Sequence, residues 1–193
     1  MDTPARNNAI NTARSHAGRA PLFMDTETTG TGRTAEIVEL ALVDHEGKIL
    51  FNSVIQPVHP IPPDAARIHG ITNEEAAQAP SWDLVWPELS NILKGRLIGM
   101  YNAEFDIRMM QQTHSFHQMH WPPALFESFC VMKLYAEYAG EWDSRHGNFR
   151  WFSLEKAARQ CRLPLPRLHR ALADTQLTKR VFDCMASSTP RMF

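Results

Sequence analysis

The sequence predicts an α/β fold in which a mixed sheet is flanked by helices. Three apolar segments joined by short connections come first, at 22–24, 37–43 and 49–55, and this pattern is typical of an antiparallel meander. Helical and strand patterns then alternate, which is typical of a sheet covered by helices. The chain has 193 residues, which suits one domain with a substantial core.

The composition is that of an ordinary soluble protein, with 44% hydrophobic residues, 21% charged residues and a net charge of −1. A nucleic-acid enzyme of this charge would need local attraction from bound metals and a few Lys or Arg side chains. The cysteines Cys130, Cys161 and Cys184 form no CxxC pair and predict free thiols in a reducing compartment. No apolar run approaches the ~18 residues that span a bilayer, and no apolar signal peptide follows Met1. We therefore expect a cytoplasmic protein.

The composition of residues 1–20 predicts a flexible tail, which precedes a single domain at 21–193. The segment is rich in Ala, Asn, Thr, Ser and Arg, and it offers little apolar surface to bury. We expect this tail to have no specific role. Its arginines leave two alternatives, which are contact with a nucleic-acid backbone and an organelle transit peptide.

Local signals predict the elements that follow the meander. A capping-box pattern at 72–75 opens a short helix. Ser81 precedes a helix whose apolar residues recur at helical spacing, although Pro87 fits poorly in its interior. Leu97–Met100 is predicted as a buried strand. Further helices are expected through 107–111 and at 132–138, 153–161 and 171–186, with a short strand at 126–131 and a loop at 140–150.

Two carboxylates, Asp25 and Glu27, stand at the end of the first predicted strand. Because side chains on a strand alternate between faces, the two should project to the same side. They repel each other unless they share a proton or a cation. Oxygen ligands without a neighbouring Cys or His cluster favour Mg²⁺ or Mn²⁺ over Zn²⁺. The alternative is an exposed pair of acids at a strand end.

A further carboxylate, Asp106, follows the apolar strand at 97–100. Ligands gather at the carboxyl ends of strands in α/β sheets, so Asp106 at the junction of strand and helix can face the same site. The alternative is that Asp106 simply caps the following helix.

His169 and Asp174 form the third candidate pair. Residues five apart on a helix are roughly 140° out of phase, so both cannot face one site from a regular helix. Pro164 and Pro166 disfavour helix before His169. We therefore expect His169 on a loop, where an imidazole suits a general base, and Asp174 in the first turns of a helix. The alternative is a structural histidine near a helix start.

Together these segments resemble the motifs of the DEDDh 3′–5′ exonucleases, a family that includes the proofreading epsilon subunit of bacterial DNA polymerase III. The resemblance rests on 23–30, 101–106 and 169–174, with a further signature at 68–72, and extends over about 21–186. Tyr101 stands where many relatives have His. No acid of the pattern is missing.

The resemblance implies a ribonuclease H-like fold and a two-metal mechanism, in which two ions about 3.5–4 Å apart stabilise the attacking and leaving oxygens. Asp25 would bridge both ions. Glu27 and Asp174 would complete the site of the attacking water, and Asp106 would hold the other ion. His169 would take the proton from the water.

The resemblance also implies a substrate, a single-stranded or frayed DNA 3′ end that releases nucleoside 5′-monophosphates. A DNA polymerase subunit is the candidate protein partner, and no membrane partner is expected. The expected substrate-binding residues are Thr26, Thr28, Gly30, His69 and Phe105. For Phe105 the alternative is packing in the core.

Two other functions stay open at this point. One is an RNA exonuclease, which would differ by contacts to the 2′-hydroxyl. The other is a polymerase-tethered binding module that captures its partner through residues 1–20. Two further patterns have structural interpretations. The spacing of His114, His117 and His120 predicts a solvated helix face in preference to a second metal site. The aromatic pair Trp151-Phe152 predicts packing within the protein in preference to contact with a nucleic-acid strand.

Overall fold

A computed structural model of the protein describes residues 4–165 and 169–190. These residues form a five-stranded sheet, a two-stranded hairpin and surrounding helices. The strands are β1 (Leu22–Thr28), β2 (Ile37–Val43), β3 (Ile49–Val54), β4 (Leu97–Met100), β5 (Glu127–Cys130), β6 (Trp142–Asp143) and β7 (Asn148–Phe149). The helices are α1 (Pro4–Ala17), α2 (Pro63–His69), α3 (Asn73–Ala76), α4 (Trp82–Leu93), α5 (Ala103–Phe116), α6 (Val131–Ala139), α7 (Leu154–Gln160) and α8 (Ala171–Ser187).

The large sheet has the strand order β3-β2-β1-β4-β5, so the strand that carries Asp25 and Glu27 is central. β1 pairs antiparallel with β2, and β2 pairs antiparallel with β3. β4 lies parallel to both β1 and β5. The predicted α/β fold with a mixed five-stranded sheet is confirmed. Because β1 and β4 run in the same direction, their carboxyl ends lie at one edge of the sheet.

Side chains of β1 alternate between two hydrophobic cores on opposite faces of the sheet. Leu22 and Met24 pack with residues of α4 and α5, whereas Phe23 packs with residues of α1, α6 and α8. The same alternation continues along the strand. It assigns Asp25 and Glu27 to the α8 face of the sheet and Thr26 to the α5 face.

The N-terminal segment corrects one expectation, because residues 4–17 form α1 instead of a flexible tail. Ala9, Ile10 and Ala13 are fully buried in the core that contains α6 and α8. The Arg14 guanidinium donates hydrogen bonds to the carbonyls of Ala186 and Ser188. Three apolar residues at helical spacing, two alanines and Ile10, were enough to bury one side of this polar helix. Residues 1–3 lie outside the described part of the chain.

The segment at 140–150 also differs from its prediction as a loop, since β6 and β7 pair there as a short hairpin. Two-residue strands carry too little periodicity to be recognised in a sequence. Helix α2 at Pro63–His69 was not predicted either. Within the described ranges, every helix is too short or too polar to cross a lipid bilayer.

His114 does not lie on a solvated helix face, as the spacing of the three histidines had suggested. It is buried, and its ring packs edge-on against Trp82, Trp86 and Trp121. The Trp82 indole N–H donates to His114 Nδ1 at 2.9 Å, and burial lowers the pKa of His114. A neutral imidazole therefore serves here as a core residue, which the local sequence could not distinguish from a surface position.

Candidate active site

Three carboxylates meet on the α8 face at the end of β1: Asp25, Glu27 and Asp174. One oxygen of each lies within 4.8 Å of an oxygen of the other two. Asp25 and Glu27 share a face through the alternation of β1, and Asp174 enters from the first turn of α8. We call this group the acidic triad. Asp25 and Glu27 are two residues apart in sequence, and Asp174 follows almost 150 residues later.

Asp106 approaches the same strand from the other face. It lies in the first turn of α5, which begins directly after β4 and the left-handed residue Asn102 (φ 74°). Asn tolerates this backbone conformation better than most residues. Asp106 is 2% exposed, and its Oδ1 accepts a hydrogen bond from the Thr26 hydroxyl at 2.7 Å. The carboxylate is thus oriented by β1 itself, although it lies outside the acidic triad.

Glu39 fixes the start of α8, and the motif pattern did not reveal this residue. It stands opposite Glu27 on β2 and is almost fully buried. Its carboxylate accepts three hydrogen bonds of 2.7–3.1 Å from the Arg170 guanidinium. A fourth comes from the Ala171 backbone N–H at 2.9 Å. A glutamate within the apolar run 37–43 was the available signal, because a buried charge requires a partner.

His169 lies on the segment before α8, exposed to solvent, while Asp174 lies in the first turn of the helix. The backbone of His169 is left-handed, with a φ of 67°, a conformation that is uncommon outside glycine. Its backbone N–H donates to Asp174 Oδ2 at 3.2 Å. The other carboxylate oxygen, Oδ1, is buried and has no hydrogen-bond partner among the described residues. His169 is therefore held beside the acidic triad through its backbone, and its ring stays at the rim. Residues 166–168, and with them Pro166, lie outside the described residues.

The electrostatics of the site oppose full ionisation of these acids. Burial raises the pKa of Asp25 well above its ordinary value, and the charges of Asp106, Asp174 and Glu27 raise it further. Burial, followed by the charges of Asp174 and Glu39, raises the pKa of Glu27 from 4.5 to about 8. Burial also raises the pKa of Asp106 to about 7, although the Thr26 hydroxyl opposes that shift. For Asp174, burial raises the pKa and the His169 N–H opposes it. The protein alone does not neutralise these charges.

A family model described as Exonuclease (RNase_T) matches residues 22–182, a range that contains every residue of this site. The chain belongs to that exonuclease family. It resembles the DEDDh members through all three motifs, and among curated proteins it resembles the epsilon subunit of DNA polymerase III. It is accordingly a nuclease that hydrolyses nucleic acid from an end.

The similarity to this exonuclease extends over most of one curated relative and over less than half of another. The uncharacterized exonuclease CP81 of Escherichia phage 186 is 37% identical over 86% of this chain and 87% of the phage protein. The epsilon subunit of Pasteurella multocida is 31% identical, but over only 46% of this chain and 39% of the subunit.

Solved structures confirm the ribonuclease H-like fold. Exonuclease X in complex with 5′-overhanging duplex DNA has a TM-score of 0.63 and 29% identity, over 86% of this chain and 92% of that one. A 3′-exonuclease that recognises the 3′ end of a histone mRNA stem-loop has a TM-score of 0.72, over 87% of this chain and 64% of that one. Its 14% identity relates the two proteins by fold alone.

Membership of the exonuclease family implies dependence on divalent metal, and the site fits such ions. Carboxylate oxygens are the ligands that Mg²⁺ and Mn²⁺ prefer. The raised pKa values of Asp25, Glu27 and Asp106 are those of acids that lack a counter-charge. The unpartnered, buried Oδ1 of Asp174 is also a polar atom that a bound cation would satisfy.

The predicted substrate-binding residues of this exonuclease lie around the carboxyl end of β1, and most of them already make contacts within the protein. The Thr28 hydroxyl donates to the Gly30 carbonyl, and the Thr26 hydroxyl is engaged with Asp106. His69 is buried, and its Nε2 lacks a hydrogen-bond partner among the described residues. Phe105 is half-buried and packs against the α4–α5 core, with the Arg108 guanidinium over its ring. Contacts of these residues with a nucleotide stay predictions.

Proposed function

We propose that this exonuclease removes nucleotides one at a time from the 3′ end of single-stranded or frayed DNA and releases nucleoside 5′-monophosphates. The observation that carries the proposal is the acidic triad at the end of β1, with Asp106 beside it and His169 at its rim. Asp25, Glu27, Asp106 and Asp174 would hold two divalent cations, Mg²⁺ or Mn²⁺. When bound, such ions stabilise the charge on the attacking and leaving oxygens of phosphoryl displacement.

The protein's own groups have separate tasks in this proposal. His169, exposed before α8, accepts a proton from the attacking water as general base. Asp174 and the His169 backbone, joined by a hydrogen bond, keep the imidazole near the acids. The buried Nε2 of His69 binds an oxygen of the terminal nucleotide. Because Asp106 is recessed at the strand end, a duplex terminus must fray before its last phosphodiester reaches the site.

DNA is the better supported substrate. Exonuclease X, whose solved structure contains duplex DNA, is similar over almost its whole length at 29% identity, and the epsilon relatives are subunits of a DNA polymerase. The likeness to the enzyme of the histone mRNA stem-loop has 14% identity, which supports no substrate. The alternative of a binding module with a partner-capturing tail loses support, because residues 4–17 are packed into the core as α1.

End-labelled single-stranded DNA and RNA of one sequence, incubated with the purified protein and Mg²⁺, test the proposal. We expect a ladder of 5′-labelled DNA fragments that shorten from the 3′ end, and slower cleavage of RNA. Asp25→Asn and Asp174→Asn should reduce the rate to background, whereas the matched control Asp64→Asn, an exposed acid on α2, should not. Cleavage from the 5′ end, preference for RNA, or full activity in chelator would each contradict the proposal.

A further inference from the structure

Two tryptophans of the segment between α6 and α7 are exposed. Trp142 and Trp151 are 60% and 54% exposed, whereas Trp82 and Trp86 are buried in the α4–α5 core. Leaving large aromatic surfaces in water forgoes the free energy of burying them. Both residues line one cavity of about 270 Å³, together with Phe149 and Lys133. An exposed apolar cluster of this kind is typical of a binding surface.

The cavity is built by the hairpin β6–β7 and helix α6. Trp142 pairs with Phe149 across the hairpin, and the two rings meet edge to face with centroids 5.2 Å apart. Lys133 and Ala136 of α6 form the opposite wall. The aromatic rings are therefore held by a hydrogen-bonded hairpin against a helix. We call this surface the aromatic platform (Lys133, Trp142, Phe149, Trp151).

Two contacts join the aromatic platform to the catalytic edge of the sheet. The Lys133 ammonium forms an ion pair with Glu104, two residues before Asp106. On the other side, the Phe152 carbonyl, next to Trp151, accepts a hydrogen bond of 2.8 Å from the Tyr101 hydroxyl. Tyr101 directly follows β4. The platform consequently lies at the same edge of the sheet as the acids.

We propose that the aromatic platform binds unpaired bases on the 5′ side of the nucleotide being removed, by stacking them against Trp142 and Trp151. This inference rests on the proposed function, which places the 3′-terminal nucleotide at the acidic triad. A surface at the same edge of the sheet but outside the triad then meets bases further from the end. Every base has an apolar face, so aromatic stacking binds a single strand without sequence preference.

Charges of both signs surround the aromatic platform. Two acids near the platform have basic partners, Glu104 in Lys133 and Glu141 in Arg150, whereas the exposed Glu137 also lines the cavity. A strand that crosses the platform therefore meets Lys133, which can contact a phosphate, and its phosphates have to pass away from the Glu137 carboxylate.

Comparison of two substrates tests the platform. One is a single-stranded DNA of about ten nucleotides, and the other is the p-nitrophenyl ester of thymidine 5′-monophosphate, which has no base on the 5′ side. For Trp142→Ala and Trp151→Ala, the ratio of kcat/KM for the oligonucleotide to that for the ester should fall about fivefold or more, since stacking is worth ~1–3 kcal/mol per base. Trp151→Phe should recover most of the loss. Leu84→Ala, a matched change at a residue that is 70% exposed on α4, should leave the ratio unchanged.

Fluorescence anisotropy of a labelled oligonucleotide, measured in chelator with the same variants, decides the question without catalysis. Weaker binding by both alanine variants, with recovery by Trp151→Phe, supports the platform even if the protein hydrolyses neither substrate. Absence of hydrolysis would overturn only the proposed function. Unchanged binding and an unchanged ratio overturn the platform. Equal losses on both substrates also overturn it, as do losses that phenylalanine does not repair.

Discussion

Replacing Glu27 by Gln should stabilise the metal-free protein although it removes a proposed metal ligand. Burial and the neighbouring charges of Asp174 and Glu39 raise the pKa of Glu27 from 4.5 to about 8. Between these two values the unfolded chain has lost the proton and the folded protein still holds it. Stability therefore falls as the pH rises through this window, and the loss is absent below about pH 4.5.

The size of the effect follows from the width of the window. One pKa unit corresponds to about 1.4 kcal/mol, so the three units between 4.5 and a working pH of about 7.5 correspond to roughly 4 kcal/mol. Gln cannot ionise in either state, and the variant should regain about 2–4 kcal/mol, since Glu27 keeps some contact with solvent.

Urea unfolding in chelator, at about pH 7.5 and about pH 4.5, measures this difference. The gain of Glu27→Gln should be present at the higher pH and vanish at the lower one, while Glu88→Gln, an exposed acid on α4, should change stability by less than about 0.5 kcal/mol at both. Added Mg²⁺ should raise the melting temperature of the unsubstituted protein more than that of Glu27→Gln. A variant less stable than the unsubstituted protein at pH 7.5 in chelator would refute the electrostatic reasoning.

Three other substitutions probe parts of the site and fold. Thr26→Val should cost about 1–3 kcal/mol in urea unfolding, because the buried Asp106 loses its hydroxyl donor; a neutral result would mean that water replaces it. Glu39→Gln should lower kcat at least about tenfold and speed hydrogen exchange at the start of α8, since the pair with Arg170 fixes that helix; unchanged exchange would argue against a positioning role. Ile10→Ala should lower the free energy of unfolding in urea by about 2–5 kcal/mol, because Ile10 is fully buried. A decrease below about 0.5 kcal/mol would favour the expectation of a flexible tail over a packed helix.

The sheet and the acids were predictable because their signals are local. Apolar strands that end in Asp25 and Glu27, and a strand that leads into Asp106, can be recognised in short windows. The prolines before His169 separated it from the helix that carries Asp174. The structure adds the distances between these residues. Their roles in catalysis stay predictions.

The residues that escaped prediction depend on contacts distant in sequence. Glu39 gains its meaning from Arg170, 131 residues away. Helix α1 is polar except for a narrow side that contains Ile10 and two alanines, and this side is buried only because α6 and α8 pack against it. The exposure of Trp151 beside the buried Phe152 depends on how the hairpin packs. Composition and periodicity carry no information about such contacts.

The packing of α1 has a practical consequence for work with shortened chains. A fragment that begins at residue 21, the boundary that the motifs suggest, would uncover Tyr135 and Tyr138 of α6 and Met185 of α8. Such a fragment would tend to self-associate and would be cleaved readily by proteases, even with every catalytic acid present. Fusions and tags therefore belong ahead of Pro4.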